Sequence, residues 1–168
     1  MDPGIIKKVT DKLFKYSLPD DATDELKDNN PVTAAEIADA MISGKAIEIK
    51  NANIEGMLEL DCCIIKEKIY IENSTVKDSI LCDSSNFEKL LYFNKCTFNG
   101  EVHFTSSKFY KDFQMNGCIF KSSLNLSYSE IDGFLNMENG HYDNEVDLCY
   151  TCIKKYSTFK NSIFKSKL

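Results

Sequence analysis

Hydrophobic and polar positions repeat along this chain with a period of eleven residues, from Ile47 to Phe164. Each unit follows the pattern apolar-x-large-x-x-small-x-large-x-x-x, as in the stretch from Val102 to Phe109. Eleven units with four template positions each, 44 positions in all, follow one another without an insertion or deletion. Only Ser157 falls outside its class when Cys is counted as apolar or small. A period this regular indicates a repeat architecture in which each unit packs on its neighbours.

The spacing within a unit favours strands over helices. The template positions lie at offsets 0, 2, 5 and 7, which on a helix fall at about 0°, 200°, 140° and 340°, on opposite sides. In an extended chain the two members of each pair face the same way, and the Asn, Gly and Ser residues between the pairs favour turns. The pattern therefore predicts short strands, with a five-residue side and a six-residue side in each unit. Two consecutive units would close one four-sided coil.

This repeat resembles the pentapeptide-repeat family, in a variant with an eleven-residue period. The resemblance covers residues 47–164, more than two thirds of the chain. It implies an all-β solenoid, a right-handed quadrilateral β-helix with about 22 residues per coil. It also implies that the central large residue of each pentapeptide and the residue two before it point inward, as Phe104 with Val102 and Phe109 with Ser107 would here.

Residues 22 apart should stack on successive coils about 4.8 Å apart. Phe87 and Phe109 would form part of one interior column, and Cys96 and Cys118 would stack as small core residues. Cys63 and Cys82 would also belong to the interior columns. A longer aromatic column would contain Phe98, Phe120, Tyr142 and Phe164. Small residues opposite the large ones would let the narrow interior close: Ser85, Ser107, Ser129 and Thr151.

The chain divides into an N-terminal helical region and cap, residues 1–45, and the solenoid, residues 46–168. A capping box from Thr33 to Glu36 predicts a helix that runs to about Ser43, with its apolar face on the first coil. Residues 17–31 are acidic and predict a loop. Residues 4–16 carry apolar side chains at helical spacing, which predicts a helix that either packs on the solenoid or docks a partner.

The last coil has no comparable cap in the sequence. Phe159 and Phe164 would therefore be exposed, together with unpaired strand edges. We predict a homodimer joined end to end through this coil.

Composition and charge narrow the classes of function. The chain has 20 Lys, no Arg and 26 acidic residues, for a net charge of -6, which argues against binding to nucleic acid. The charged N-terminus lacks the apolar core of a signal peptide, and no stretch has the apolar length of a membrane span. The chain has seven cysteines, an odd number that cannot all pair in disulfides within the chain. This favours reduced thiols. We predict a cytoplasmic protein that does not bind a membrane.

The residues with reactive side chains form no recognisable active site. Cys149 and Cys152 form a C-x-x-C motif, which in other settings is redox-active or half of a zinc site. The repeat places both outward, and no second such motif occurs, so surface thiols are the favoured interpretation. His103 and His141 are outward and far apart in register, and no phosphate-binding glycine pattern occurs. We predict a protein that is not an enzyme and has no cofactor or metal site.

One stretch of the outward surface is a candidate partner-binding site. Residues 122–153 contain no Lys but six acids, which are Glu130, Asp132, Glu138, Asp143, Glu145 and Asp147; five Lys follow, at 154, 155, 160, 165 and 167. Tyr128 should stack with Tyr150, and Phe134 with Tyr156, on the two corners that bracket Glu130 and Asp132. Exposed aromatic side chains beside charge are enriched at protein interfaces. The alternative interpretation is ordinary solvated turns.

Two functions are consistent with these features. The first is a protein-interaction scaffold with a protein partner that the sequence does not identify. The second comes from the resemblance, because some pentapeptide-repeat proteins mimic DNA and bind DNA gyrase, which implies an inhibitor or protector of a DNA topoisomerase. A duplex as long as the solenoid, about 26 Å, would carry about 15 charges. Residues 47–168 carry 17 acids and 14 Lys, a net charge of -3 (14 - 17). This charge is far below that of the duplex, so it favours the protein-interaction scaffold over the DNA mimic.

Overall fold

The computed structural model describes residues 4–168, so the first three residues of the predicted region 1–45 lie outside it. The described residues form an all-β solenoid of about 6 turns with about 22 residues per coil and little helix. Within this part of the chain no helix has the length and apolar character that crossing a membrane requires.

The described chain contains two helices and 25 strands. In chain order these are β1 (Ile6–Val9), β2 (Leu13–Ser17), α1 (Asp24–Asn29), β3 (Val32–Thr33), α2 (Ala34–Ile42), β4 (Ala46–Lys50), β5 (Asn53–Glu55), β6 (Leu58–Glu59), β7 (Ile64–Ile65), β8 (Ile69–Glu72), β9 (Thr75–Val76), β10 (Ile80–Leu81), β11 (Asn86–Phe87), β12 (Leu91–Asn94), β13 (Thr97–Phe98), β14 (Val102–His103), β15 (Lys108–Phe109), β16 (Phe113–Asn116), β17 (Ile119–Phe120), β18 (Leu124–Asn125), β19 (Glu130–Ile131), β20 (Leu135–Asn136), β21 (His141–Tyr142), β22 (Val146–Asp147), β23 (Cys152–Ile153), β24 (Ser157–Thr158) and β25 (Ile163–Phe164).

The strands form four sheets, which we call faces 1 to 4 in the order in which each coil passes through them. Face 1 has the order β1-β2-β4-β8-β12-β16-β20-β24, and face 2 the order β3-β5-β9-β13-β17-β21-β25. Face 3 has the order β6-β10-β14-β18-β22, and face 4 the order β7-β11-β15-β19-β23. Every pair from β2 onward is parallel, and within the repeat the paired residues are 22 apart, as Phe98 and Phe120 are. The repeat predicted this register.

The template positions form the core. Each one from Ile47 to Val146 is buried, except Cys63, which is half-buried. The predicted columns are confirmed: the ring of Phe120 stacks on Phe98 with centroids 4.6 Å apart and on Tyr142 at 5.1 Å, and Phe87 stacks on Phe109 at 5.0 Å. Burial of these large side chains supplies the main favourable free energy of folding.

The small template position also carries hydrogen bonds between coils. The Ser107 hydroxyl donates to the Cys82 carbonyl oxygen at 2.6 Å and accepts the Ser85 backbone N–H at 3.0 Å. The same donation to the carbonyl 25 residues earlier is made by other hydroxyl groups at this position: Ser85, Ser129, Thr151 and Ser162. These hydroxyl groups therefore satisfy backbone groups at the turns, in addition to leaving room for the large residues.

The residue before each small position adopts a left-handed conformation. Its φ lies between 47° and 64° in every unit. The eleven residues are Asn51, Cys62, Asn73, Ser84, Lys95, Ser106, Gly117, Tyr128, Asn139, Tyr150 and Asn161. Asn and Gly tolerate this conformation best, and they fill five of the positions. The recurrence of Asn and Gly that predicted turns between the pairs therefore marks the position of this left-handed residue.

The N-terminal segment differs from the predicted helix over residues 4–16. It forms an antiparallel hairpin, in which β1 pairs with β2 and β2 pairs in parallel with β4. Phe14 and Tyr16 are buried and alternate with the half-buried Lys15. The strand β2 therefore follows the two-residue period of a strand with one buried side. The open edge of β4 provides backbone partners that an isolated sequence pattern cannot reveal.

The rest of this region agrees more closely with the prediction. The capping box that precedes α2 is present, because the Glu36 N–H donates to the Thr33 hydroxyl at 3.3 Å and the Thr33 N–H donates to the Glu36 carboxylate at 3.4 Å. Ala34, Ile37 and Met41 of α2 are buried in the same apolar cluster as the solenoid core. The segment predicted as a loop contains the short helix α1, which the Thr23 side chain caps.

Candidate functional site

Face 4 brings the predicted aromatic pairs together. The rings of Tyr128 and Tyr150 stack with centroids 5.0 Å apart, and those of Phe134 and Tyr156 stack at 5.1 Å. The first pair lies at the turns that enter β19 and β23, and the second at the turns that follow face 4. The two pairs thus bracket Glu130, as the repeat predicted. We call Tyr128, Phe134, Tyr150 and Tyr156 the aromatic surface.

Three of these four side chains are largely in solvent. Tyr128 is 62% exposed, Tyr150 79% and Tyr156 59%, whereas Phe134 is half-buried. Their rings contribute little to the core. The three rings are therefore available at the surface of the solenoid.

The backbone at two of these tyrosines is in a left-handed conformation. Tyr128 has φ 59° and Tyr150 has φ 58°, at the turn position that Asn or Gly fills in five units. A left-handed conformation costs a bulky residue about 1–2 kcal/mol. Because both side chains are exposed, no core contact offsets this free energy. The turn requires this conformation in every unit, so the two tyrosines add a free-energy cost that Asn or Gly would avoid, and such a cost is typical of sites under functional constraint.

The charged centre of face 4 is an ion-pair cluster and not a free acidic patch. The Asp132 carboxylate lies 2.7 Å from the Lys108 ammonium and 2.8 Å from the Lys154 ammonium, and Glu130 contacts the same two lysines. These hydrogen bonds, first to Lys108 and then to Lys154, lower the pKa of Asp132 to about 2 and also lower the pKa of Glu130. The sequence window from 122 to 153 missed this pairing because both lysines come from neighbouring coils, 22 to 24 residues from their partners.

The remaining acids of the predicted band have varied surroundings. Asp143 pairs with Lys165 at 2.7 Å, and the Glu138 carboxylate accepts a hydrogen bond from the Thr158 hydroxyl at 2.8 Å. Glu145 and Asp147 form no ion pair within the described residues. The local charge is therefore much lower than the count of six acids suggests.

The cysteines and histidines lie where the repeat placed them, with one exception. Cys82, Cys96 and Cys118 are buried, and Cys149 and Cys152 are exposed, while Cys63 is half-buried instead of fully interior. A hydrogen bond with Asp147, together with its charge, raises the pKa of the Cys149 thiol and so lowers its reactive thiolate fraction. His103 lies on face 3 and His141 on face 2. Across residues 4–168 no group of three or more His, Cys, Asp or Glu side chains could hold a metal ion.

The last coil is less buried than the others. Ser157 is exposed, and Phe159 and Phe164 are half-buried. The Phe164 ring stacks on Tyr142 at 4.6 Å and meets Phe159 edge-on at 6.1 Å, so both belong to the last layer of the core. A homodimer through this coil stays a prediction.

The fold defines the protein as an all-β solenoid repeat protein. No protein-family model, curated protein or solved structure matches the chain. Membership of the pentapeptide-repeat family therefore stays a prediction from the repeat itself.

Proposed function

We propose that this chain is a non-enzymatic, pentapeptide-repeat-like scaffold that binds a protein partner through the aromatic surface on face 4. In this proposal the solenoid is a right-handed quadrilateral β-helix, and α2 covers its first coil. Four sheets with a 22-residue register and the burial of one side of α2 support that architecture. A rigid rod of this kind holds side chains at fixed spacing along each face.

The observation that carries the proposal is the pair of stacked, exposed tyrosines in left-handed turns, Tyr128 and Tyr150. Tyrosine offers a large contact area at a small cost in side-chain entropy, together with a hydroxyl group for hydrogen bonding. The ion pairs between Glu130, Asp132 and two lysines hold the centre of face 4 close to neutral. A surface of this composition suits a protein partner.

The alternative, a DNA mimic that acts on a topoisomerase, receives less support from this geometry. A mimic needs rows of unpaired carboxylates at the charge density of duplex DNA, about one per 1.7 Å. Here three of the six predicted acids, Glu130, Asp132 and Asp143, pair with lysines.

Affinity capture with matched variants tests the proposed function. Tyr128→Asn with Tyr150→Asn removes both rings while keeping a residue that tolerates the left-handed turn, so folding is retained. Phe134→Ala with Tyr156→Ala removes the other pair. We expect each double variant to capture at least tenfold less of the partner that wild type enriches from the host lysate, measured by quantitative mass spectrometry.

A control variant separates this result from a general loss of stability. Lys95→Asn makes the same kind of substitution at an exposed left-handed turn between faces 1 and 2, and should leave capture unchanged. Equal capture by wild type and both double variants would refute the proposal. Inhibition of gyrase supercoiling by the purified protein would support the DNA-mimic alternative instead.

A further inference from the structure

The strand β1 forms one edge of face 1. It pairs with β2 on one side, and no strand within residues 4–168 pairs with its other side, which we call the free edge. All four residues of β1, Ile6–Val9, are exposed. A strand edge of this kind offers backbone N–H and C=O groups to an additional strand. The free edge is therefore a place where an extended segment of another chain can add to face 1.

The register of the hairpin shows which backbone groups of β1 are directed towards the free edge. The Thr10 N–H donates to the Leu13 carbonyl oxygen at 2.8 Å, so these two residues form a hydrogen-bonded pair. In an antiparallel ladder such pairs alternate with pairs that are not hydrogen-bonded. Counting back from Thr10, Lys8 is the next residue that bonds to β2, whereas the N–H and C=O groups of Lys7 and Val9 point away from β2. The free edge thus presents two donors and two acceptors.

Apolar side chains lie on both faces of the strand beside the free edge. Val9 is 54% exposed and lies on the same face as Phe14, with which it is paired in register. There it lines an open groove between the hairpin and Ala40 of α2. Ile6, which is 48% exposed, points to the opposite face. An added strand would therefore cover an exposed apolar side chain on each of its two faces.

The two lysines of β1 differ in their ion pairing. Lys7 pairs with Glu36 of α2. Lys8 forms no ion pair within residues 4–168 and lies opposite Lys15 in the hairpin, and Lys15 already pairs with Glu48 at 3.4 Å. Like charges directly opposite each other on antiparallel strands are destabilising. A carboxylate on an added strand, opposite Lys8, would reduce this repulsion.

A second copy of the chain does not suit the free edge. Every antiparallel register that overlaps three or more residues of β1 with a second β1 places Lys7 or Lys8 opposite Lys7 or Lys8 of the copy. Lysines on an exposed edge strand are a common protection against pairing between identical edges. The free edge therefore favours a strand of opposite charge.

We propose that the free edge of β1 binds an extended acidic segment of a partner protein, which adds to face 1 as an antiparallel strand. An acidic residue of the segment lies opposite Lys8, and apolar residues lie opposite Ile6 and Val9. Backbone hydrogen bonds to Lys7 and Val9 hold the segment in register. This site is separate from the aromatic surface on face 4 and does not depend on the function proposed for that surface.

Synthetic peptides test the proposal on the full chain. In an antiparallel strand the probe acetyl-Ser-Val-Glu-Thr-Val-Ser-amide places Glu opposite Lys8 and one Val opposite each of Val9 and Ile6, and the matched control peptide has Lys in place of Glu. NMR titration should show that the Glu peptide shifts the amide signals of Lys7 and Val9, and that it binds about tenfold more tightly than the Lys peptide.

Methylation of the peptide backbone tests strand addition itself. The Thr of the probe lies opposite Lys7, so its N–H faces the free edge, whereas the N–H of the neighbouring Glu points away. N-methylation at Thr should therefore abolish binding, and N-methylation at Glu should retain it. Equal binding of the two methylated peptides, or no binding of the probe at millimolar concentration, would overturn the proposal.

Variants locate the site on the chain. Lys8→Glu should reverse the preference, so that the Lys peptide binds more tightly than the Glu peptide. Val9→Pro removes an N–H that faces the free edge and spares the hydrogen bonds of the hairpin, so it should abolish binding, whereas Val9→Thr should retain it. Tyr128→Asn with Tyr150→Asn, on the aromatic surface, is the control and should bind the probe as wild type does. An unchanged preference in Lys8→Glu would refute the proposal, as would a wild-type dimer that Val9→Pro dissociates, because a second copy would then occupy the edge.

Discussion

At the scale of single residues, the small template position has a role in hydrogen bonding as well as in packing. Sequence reasoning assigned Ser107 there because a narrow interior needs small side chains. The structure adds that its hydroxyl bridges two coils, between the Ser85 N–H and the Cys82 carbonyl oxygen. Polar side chains thus occupy a buried column without an unsatisfied group, which explains why Ser and Thr share this position with Cys and Ala.

Replacing Ser107 with Ala tests this role. Within residues 4–168 the Ser85 N–H has the Ser107 hydroxyl as its only hydrogen-bond acceptor. The substitution leaves that buried N–H without a partner, so we expect unfolding to become easier by about 1–3 kcal/mol. Chemical denaturation would measure the change. Ser106→Ala, at the exposed neighbouring position, is the control, and equal stability of Ser107→Ala and wild type would contradict the role.

At the scale of elements, the strands of the repeat were predictable and the hairpin β1–β2 was not. The period of eleven residues sets the register between coils, so the core columns followed directly from the sequence. The apolar residues of 4–16 fit a helix when they are read alone. Their strand conformation depends on the edge of β4, where Phe14 pairs with Ile47 and Tyr16 with Ile49. The Tyr16 hydroxyl also donates to the Asn30 carbonyl oxygen at 2.6 Å, which ties the hairpin to the end of α1.

The hairpin should therefore contribute to the stability of the whole solenoid. Phe14 is buried in the same cluster as the repeat core, and Phe14→Ala should destabilise the protein by about 3–5 kcal/mol. Ile6→Ala, at an exposed position of β1, should change stability by about 0.5 kcal/mol or less. Thermal unfolding of both variants would measure this difference. Similar effects of the two substitutions would show that the hairpin does not pack as described.

At the scale of the whole molecule, the candidate site was predictable in its aromatic half and not in its charged half. The stacking of Tyr128 with Tyr150 follows from the register between successive coils. The ion pairs of Asp132 do not follow from a window of sequence, because Lys108 and Lys154 reach it from the coils on either side. Charge along a solenoid must be counted along its faces, where residues about one coil apart become neighbours.

The Asp132 cluster gives a pH dependence with a definite sign. Hydrogen bonding to Lys108 and Lys154 lowers the folded-state pKa of Asp132 to about 2, against about 3.9 in an unfolded chain. The stabilisation is therefore fully present above about pH 4 and is lost as the pH falls towards 2. Wild type should have a higher Tm than Asp132→Asn at pH 5, and the difference should shrink by pH 2. Because the cluster is exposed, the effect should also decrease at high salt. A Tm difference that does not change with pH would contradict this assignment.

One left-handed residue in every unit makes the fold modular in its length. Removal of two consecutive units would delete one complete coil and restore every side chain to its original face. Removal of a single unit would turn everything downstream by half a coil, so that Tyr128 and Tyr150 would move from the edge of face 4 to the edge of face 2. The side of the rod that carries the aromatic surface is thus set by the number of units that precede it, and an odd change in that number would move this surface to the opposite side.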